Sequence, residues 1–95
     1  MANEILGQVA KIGEAGNLIT DIPIEKVKDI PHGESLSIRF GDHETLGLYP
    51  AEHGLPDTNM VASLGKSGFV EIEIVGINLA EMLGIKVNEP VTLRW

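Results

Sequence analysis

The chain has 95 residues, 43% of them hydrophobic, with seven Lys and Arg against fourteen Asp and Glu for a net charge of -7. That length holds one domain with a modest core, so a single domain over residues 1–95 is expected and a second is excluded. The acidic balance repels phosphate backbones and anionic membranes, no Lys or Arg cluster with interleaved aromatics offsets it, and the lack of cysteine rules out disulfides and thiolate chemistry, so neither nucleic acid nor a membrane is an expected partner.

The opening "MANEILGQ" lacks the basic and apolar regions of a secretory signal, and no apolar run is long enough to cross a bilayer. A cytoplasmic protein is the expectation. The run "LGQVAKI" predicts a first strand, and after the turn Gly13 to Gly16 "NLITDI" predicts a second. "PIEKVKDI" predicts a short helix, with Pro23 suited to a first turn, Ile24, Val27 and Ile30 toward the core, and an end before Pro31. A loop at "PHGES" leads into "SLSIRF", where Leu36, Ile38 and Phe40 share one face of a strand. After "GDH", "TLGLYP" predicts another strand, and "PAEHGLPDTN" is the longest stretch without periodicity.

The weaker run "MVASL" predicts a strand before the turn Gly65 to Gly68. In "FVEIEIV", Val70, Ile72 and Ile74 point one way and Glu71 and Glu73 the other, which predicts a strand with one wet face. "NLAEMLGI" predicts a helix with Asn78 as N-cap, Glu81 completing a capping box, Gly84 as the stop, and Leu79, Met82 and Leu83 as its buried stripe. "PVTLRW" predicts a last strand with Val91, Leu93 and Trp95 inward. The fold class is therefore mainly β: a small antiparallel barrel or sandwich of about seven strands with one or two short helices. Closure into a barrel is favoured because it removes exposed edges.

The two G-x-x-G segments stand about fifty residues apart, each between alternating runs. Glycine at such positions supplies the positive φ that hairpin loops need, so scaffolding is the first reading. A nucleic-acid clamp of the KH type sets the same motif between helices and against phosphates, whereas here strands flank it and Glu14 lies within it. A phosphate-binding loop fails because neither turn opens a helix. His32, His43 and His53 all fall in predicted loops without metal-ligand spacing, and solvation is expected for each. Glu71 and Glu73 read as a solvated strand face, and no Ser, His and Asp set forms a nucleophilic constellation, so no catalytic residue is assigned and no metal is expected.

Taken in order, "AGNLITDIP", "GKSGFVEIEIVGINLAEMLG" and "VNEPVTLRW" resemble the C-terminal domain of the S-adenosyl-L-methionine hydroxide adenosyltransferase family, which includes the fluorinase and chlorinase. The likeness rests on Gly16, Asn17, Leu18, Ile19, Thr20, Asp21 and Ile22, then on a Ser-Gly-hydrophobic-Glu-Ile run, then on an asparagine that opens a helix. The resemblance implies a Greek-key β-barrel that follows a larger N-terminal α/β domain, which is expected to be missing from this chain, with substrate held between one chain's N-terminal domain and a neighbour's barrel in a trimer. It implies an adenine contact at Asn17 beside Gly16, backbone contacts near Asn78 and Leu79, and contacts to the amino acid end at Lys66 and Ser67. Adenosine or S-adenosyl-L-methionine is the implied ligand, with no separate cofactor.

The chain departs from the family pattern at Gly13, where an Asp binds the methionine amino group, and at Ala15, where an aromatic packs on the ligand. Adenosine is accordingly expected to bind in preference to the full sulfonium substrate. Three readings stay open at this stage: a nucleoside-binding or assembly module prone to self-association, an interaction domain with no ligand, and the trans-acting half of a split adenosyltransferase completed by a separately encoded N-terminal domain.

Overall fold

The computed structural model describes residues 3–95. Eight strands form one sheet among these residues: β1 (Glu4–Ile12), β2 (Leu18–Pro23), β3 (Ser37–Phe40), β4 (His43–Leu46), β5 (Tyr49–Pro50), β6 (Met60–Leu64), β7 (Phe69–Ile74) and β8 (Pro90–Arg94), with the helix α1 (Leu79–Leu83) between the last two. Their order is β4-β3-β8-β1-β2-β7-β6-β5, so the last strand returns to lie beside the first. The mainly β class expected from alternation holds. All pairings are antiparallel except β5 with β6, which is parallel.

The sheet curls into a half-barrel because β1 belongs to both of its halves. Residues Glu4 to Gln8 pair with β8, and from Val9 onward the strand pairs with β2, with a register shift between Val9 and Lys11. An extra residue on one strand bends it and increases its twist. The curl carries β4 around to β6, where Thr45 Oγ1 donates to the Met60 carbonyl at 3.4 Å. Inside lie the inward members of each alternating run, with Leu18, Ile38, Phe40, Ile72, Val91 and Leu93 fully buried. At roughly 1.5–3 kcal/mol for each large side chain removed from water, this set is the principal favourable contribution to folding.

Three expectations change. "TLGLYP" is two strands rather than one, because Gly47 adopts φ +84 and its N–H bonds the Leu36 carbonyl at 2.8 Å, turning the chain away from β3 before β5 joins β6. "PIEKVKDI" forms only a 3-10 turn at Ile24–Lys26. Its apolar residues Ile24, Val27 and Ile30 recur every third position, which fits three residues per turn, and Pro31 disfavours helical backbone at Ile30. In α1 the Asn78 cap and the Gly84 stop are present, with Glu81 N–H donating to Asn78 Oδ1 at 2.9 Å and Gly84 in the left-handed region, but the Glu81 side chain does not return to the Asn78 N–H, so the box is only half made, and the buried pair is Leu79 and Ala80. Met82 is 63% exposed, since in a helix of a little over one turn it shares the side of Asn78 four residues earlier. No helix among the described residues is long and apolar enough to cross a membrane.

The twin turns have one geometry. Gly13 N–H donates to the Asn17 carbonyl at 2.8 Å and Gly16 N–H to the Gly13 carbonyl at 2.9 Å; Gly65 N–H donates to Phe69 and Gly68 N–H to Gly65, both at 3.1 Å. Gly16 at φ +86 and Gly68 at φ +91 occupy equivalent left-handed positions. Only their surroundings differ. A Cβ at Gly68 would meet nothing within 4 Å, whereas one at Gly16 would overlap the Asn78 carboxamide and stand 2.8 Å from Asn78 Cα. Gly68→Ala should therefore cost about 1–2 kcal/mol in urea denaturation, the penalty of left-handed backbone alone. Gly16→Ala should cost about 1–3 kcal/mol more. Equal losses in the two variants would show that the approach of Asn78 adds no constraint.

Candidate functional site

The turn Gly13 to Gly16 abuts the start of α1. The Ala80 N–H donates to the Gly16 carbonyl at 3.0 Å, which joins the β1-β2 hairpin to a helix amide that lacks an intrahelical partner. Between hairpin and helix runs the segment after β7, where Ile77 N–H closes a turn onto the Ile74 carbonyl at 3.0 Å. The space left between these pieces is an open cleft of about 260 Å³ lined by Ala15, Asn17, Glu73, Val75, Gly76 and Asn78, among others. Among the described residues the N–H groups of Gly76 and Asn78 make no hydrogen bond, and both residues line the cleft.

Asn17 is half-buried and its carboxamide has a fixed orientation. Its Nδ2 donates to Glu71 Oε1 at 2.9 Å, and a carboxylate accepts only, so nitrogen and not oxygen must face it. One amide proton is engaged in this way. The second proton and the carbonyl oxygen have no hydrogen-bond partner among the described residues, and the oxygen is the carboxamide atom nearest the Gly13 turn. The other oxygen of Glu71 accepts from Ser67 Oγ at 2.7 Å and from Ser67 N–H at 3.4 Å, so one carboxylate ties the two turns' polar side chains together.

Of the residues expected at a site, Asn17 and Asn78 share the cleft and Gly16 lies buried beneath Asn78. Ser67 does not join them. It lines a second groove of about 320 Å³ with Ala10, Lys11, Ile19, Asp21 and Phe69. Leu79 is fully buried in the core. Lys66 is exposed, with its ammonium 3.7 Å from Glu52. Gly13 lies under Asn17, whose carboxamide a Cβ at position 13 would overlap.

Residues read as solvated have partners instead. The His53 side chain is only 8% exposed; its Nε2 lies 2.9 Å from Glu73 Oε1, while its Nδ1 accepts from Leu55 N–H at 3.0 Å. With Nδ1 accepting, the ring proton is on Nε2 and donates to Glu73. Glu73 thus enters the cleft wall as a held carboxylate. His32 is half-buried with Nε2 2.6 Å from the Val27 carbonyl, and His43 lies in β4 with its ring centroid 5.7 Å from that of Phe40. Among the described residues no group of three His, Cys, Asp or Glu is placed to hold a metal ion.

Glu71→Ala should release Asn17 and Ser67 together, with a stability loss of about 1–3 kcal/mol for two partners of a charged group. The Asn17 side-chain amide resonances should move toward free-amide positions in that variant and stay near their native positions in Ser67→Ala. Native Asn17 resonances in Glu71→Ala would mean that Glu71 does not hold the carboxamide.

Comparison with known proteins places this geometry in a family. The model of the SAM hydroxide adenosyltransferase C-terminal domain matches residues 7–92. No curated protein matches by sequence. Among solved structures, the chain is similar to an uncharacterized conserved protein from Thermotoga maritima, with a TM-score of 0.74 and 20% identity over 93% of this chain and 35% of that one. It is also similar to a conserved hypothetical protein from Thermus thermophilus, with a TM-score of 0.71 and 24% identity over 93% of this chain and 34% of that one. The chain therefore spans about a third of the length of either structure, and at these identities the likeness is one of fold. With nearly its whole length matched, the chain belongs to the SAM hydroxide adenosyltransferase C-terminal domain family.

Proposed function

We propose that this domain forms one wall of a nucleoside-binding site, with the Asn17 carboxamide reading the edge of an adenine. The observation that supports this most is the fixed orientation of Asn17, held by Glu71 beside a cleft that Gly76 and Asn78 also line. A donor and acceptor side by side match the paired acceptor and donor of an adenine edge. The unpaired N–H groups of Gly76 and Asn78 add donors for ring nitrogens or sugar oxygens. Ala15, small and exposed, leaves the cleft mouth open to a base.

The wall is incomplete by size. Pockets that enclose a small ligand run from roughly 300 to 1,000 Å³. A cleft of about 260 Å³ open to solvent falls below that range, so a second protein surface closes over the ligand in this reading. The exposed Met82, on the same side of α1 as Asn78, offers that surface an apolar contact at the rim. A second copy of this chain and a separately encoded N-terminal domain are the two candidates for it. The role proposed is recognition; the chemical step of the family is not assigned to these residues.

The test is a titration of the chain with adenosine, S-adenosyl-L-methionine and guanosine, read by the amide resonances of Gly16, Gly76 and Asn78. Adenosine should shift these resonances saturably at millimolar concentration or below. Asn17→Ala should weaken binding by about ten- to a hundredfold, corresponding to roughly 1–3 kcal/mol for the lost base-edge hydrogen bonds. Guanosine binding as tightly as adenosine would remove Asn17 as a reader of the base. No shift with any nucleoside would end the binding proposal and favour an interaction domain.

A further inference from the structure

Glu73 stands in the cleft wall at a place that alternation alone assigns to solvent. It is on the outer face of β7, where its neighbour across the pair is Val61 of β6. That face is covered here, for Val61 is fully buried and Ser63 nearly so although both point away from the core side of the sheet. The cover is the segment between β5 and β6, which returns along the end of β7 through Thr58 N–H to the Val75 carbonyl at 2.8 Å and Val75 N–H to the Asn59 carbonyl at 3.0 Å. It brings His53 against Glu73 and Asp57 against Gly76, where a Cβ would meet Asp57 Oδ1 at 3.1 Å.

His53 engages one carboxylate oxygen of Glu73, and because Leu55 N–H fixes the imidazole through Nδ1, the carboxylate is held by a partner whose own position is set. The second oxygen, Oε2, has no hydrogen-bond partner among the described residues. Among the described residues no Lys, Arg or His lines the cleft, and the chain as a whole carries a net charge of -7. A fixed carboxylate with a free acceptor oxygen favours hydroxyl or ammonium donors and opposes an anion brought to the same place.

We infer that Glu73, held by His53, is a specificity-determining residue that makes the cleft select uncharged or cationic nucleosides and reject nucleotides. This inference rests on the reading of the cleft as a nucleoside site. In it, Oε2 accepts a hydrogen bond from a ligand hydroxyl or ammonium group, and a phosphate ester meets like charge from Glu73 and from Asp57 beside Gly76. The scaffold around Glu73 survives neutralisation, because Gln in its place keeps a carbonyl oxygen for the His53 Nε2–H.

The experiment titrates the full chain and its E73Q variant with adenosine and with adenosine 5′-monophosphate at low ionic strength, read by the amides of Gly16, Gly76 and Asn78. The native chain should bind the nucleoside at least about tenfold more tightly than the nucleotide, as expected for like charges several ångströms apart at a partly exposed site. In E73Q that ratio should fall to within about threefold, and D57N should reduce it less. A native ratio near one, or a ratio unchanged in E73Q, overturns the inference while leaving adenosine binding and the cleft reading in place. No response to either ligand overturns both. Should E73Q lose the folded spectrum, the native ratio together with D57N decides: a ratio near one, or one insensitive to D57N, counts against the role of cleft charge.

Discussion

The arrangement of the cleft depends on the close approach of Asn78 to the bare Cα of Gly16. A side chain there would overlap the Asn78 carboxamide and press on its Cα, and the left-handed φ of +86 would strain any other residue. Because Gly16 yields that space, Asn78 can sit over the hairpin, cap α1 through Glu81 N–H, and leave Ala80 N–H to bond the Gly16 carbonyl. One glycine thus sets the distance between a turn made by β1 and β2 and a helix more than sixty residues later. The five-residue helix has little stability of its own, since isolated helices of that length do not form in water. Its position comes from this docking and from the burial of Leu79 and Ala80.

Two carboxylates on β7 then convert the outer face of the sheet from a wet surface into a polar framework. Glu71 lies opposite Ile19 in the β2-β7 pairing, which makes Asn17 its diagonal neighbour, within reach of a long side chain. It bonds Asn17 on one side and Ser67 on the other, linking two hairpin turns otherwise separated by the length of a strand. Glu73, two residues on, is held from above by His53. The same pairing explains Thr20: its hydroxyl donates to the Val70 carbonyl at 2.7 Å where the register of β2 against β7 shifts, satisfying a group that the irregular ladder would leave unpaired.

The elements legible in the sequence are those whose information is local. Alternation finds the long strands and the inward faces of Leu36, Ile38 and Phe40 and of Val70 and Ile72, all buried, and the capping box finds the start of α1. Two-residue β5 carries no period of its own, and its parallel pairing is set by where Gly47 sends the chain. Periodicity misplaces Met82 because a helix of about one turn is too short to fix its own apolar stripe. For the site, the resemblance supplies Gly16, Asn17 and Asn78, which meet, and Ser67, which lies across Glu71 in another groove. Glu71, Glu73 and His53 are missed because period-two reasoning says which side of a strand a residue faces and nothing of what a distant loop lays over that side.

Gly13 shows how one substitution changes the meaning of its neighbours. Relative to the family pattern it removes a carboxylate, and in isolation that counts as a lost ligand contact. In this fold a Cβ at position 13 would overlap the carboxamide of Asn17, so the absence of a side chain is what lets that carboxamide lie over the turn and face Glu71. A carboxylate at position 13 would also bring negative charge toward the Asn17 carbonyl oxygen, the carboxamide atom nearest that position. The carboxylate that lines the cleft and the one that holds Asn17 both sit on strand β7, where Glu73 meets His53 and Glu71 meets Asn17 and Ser67.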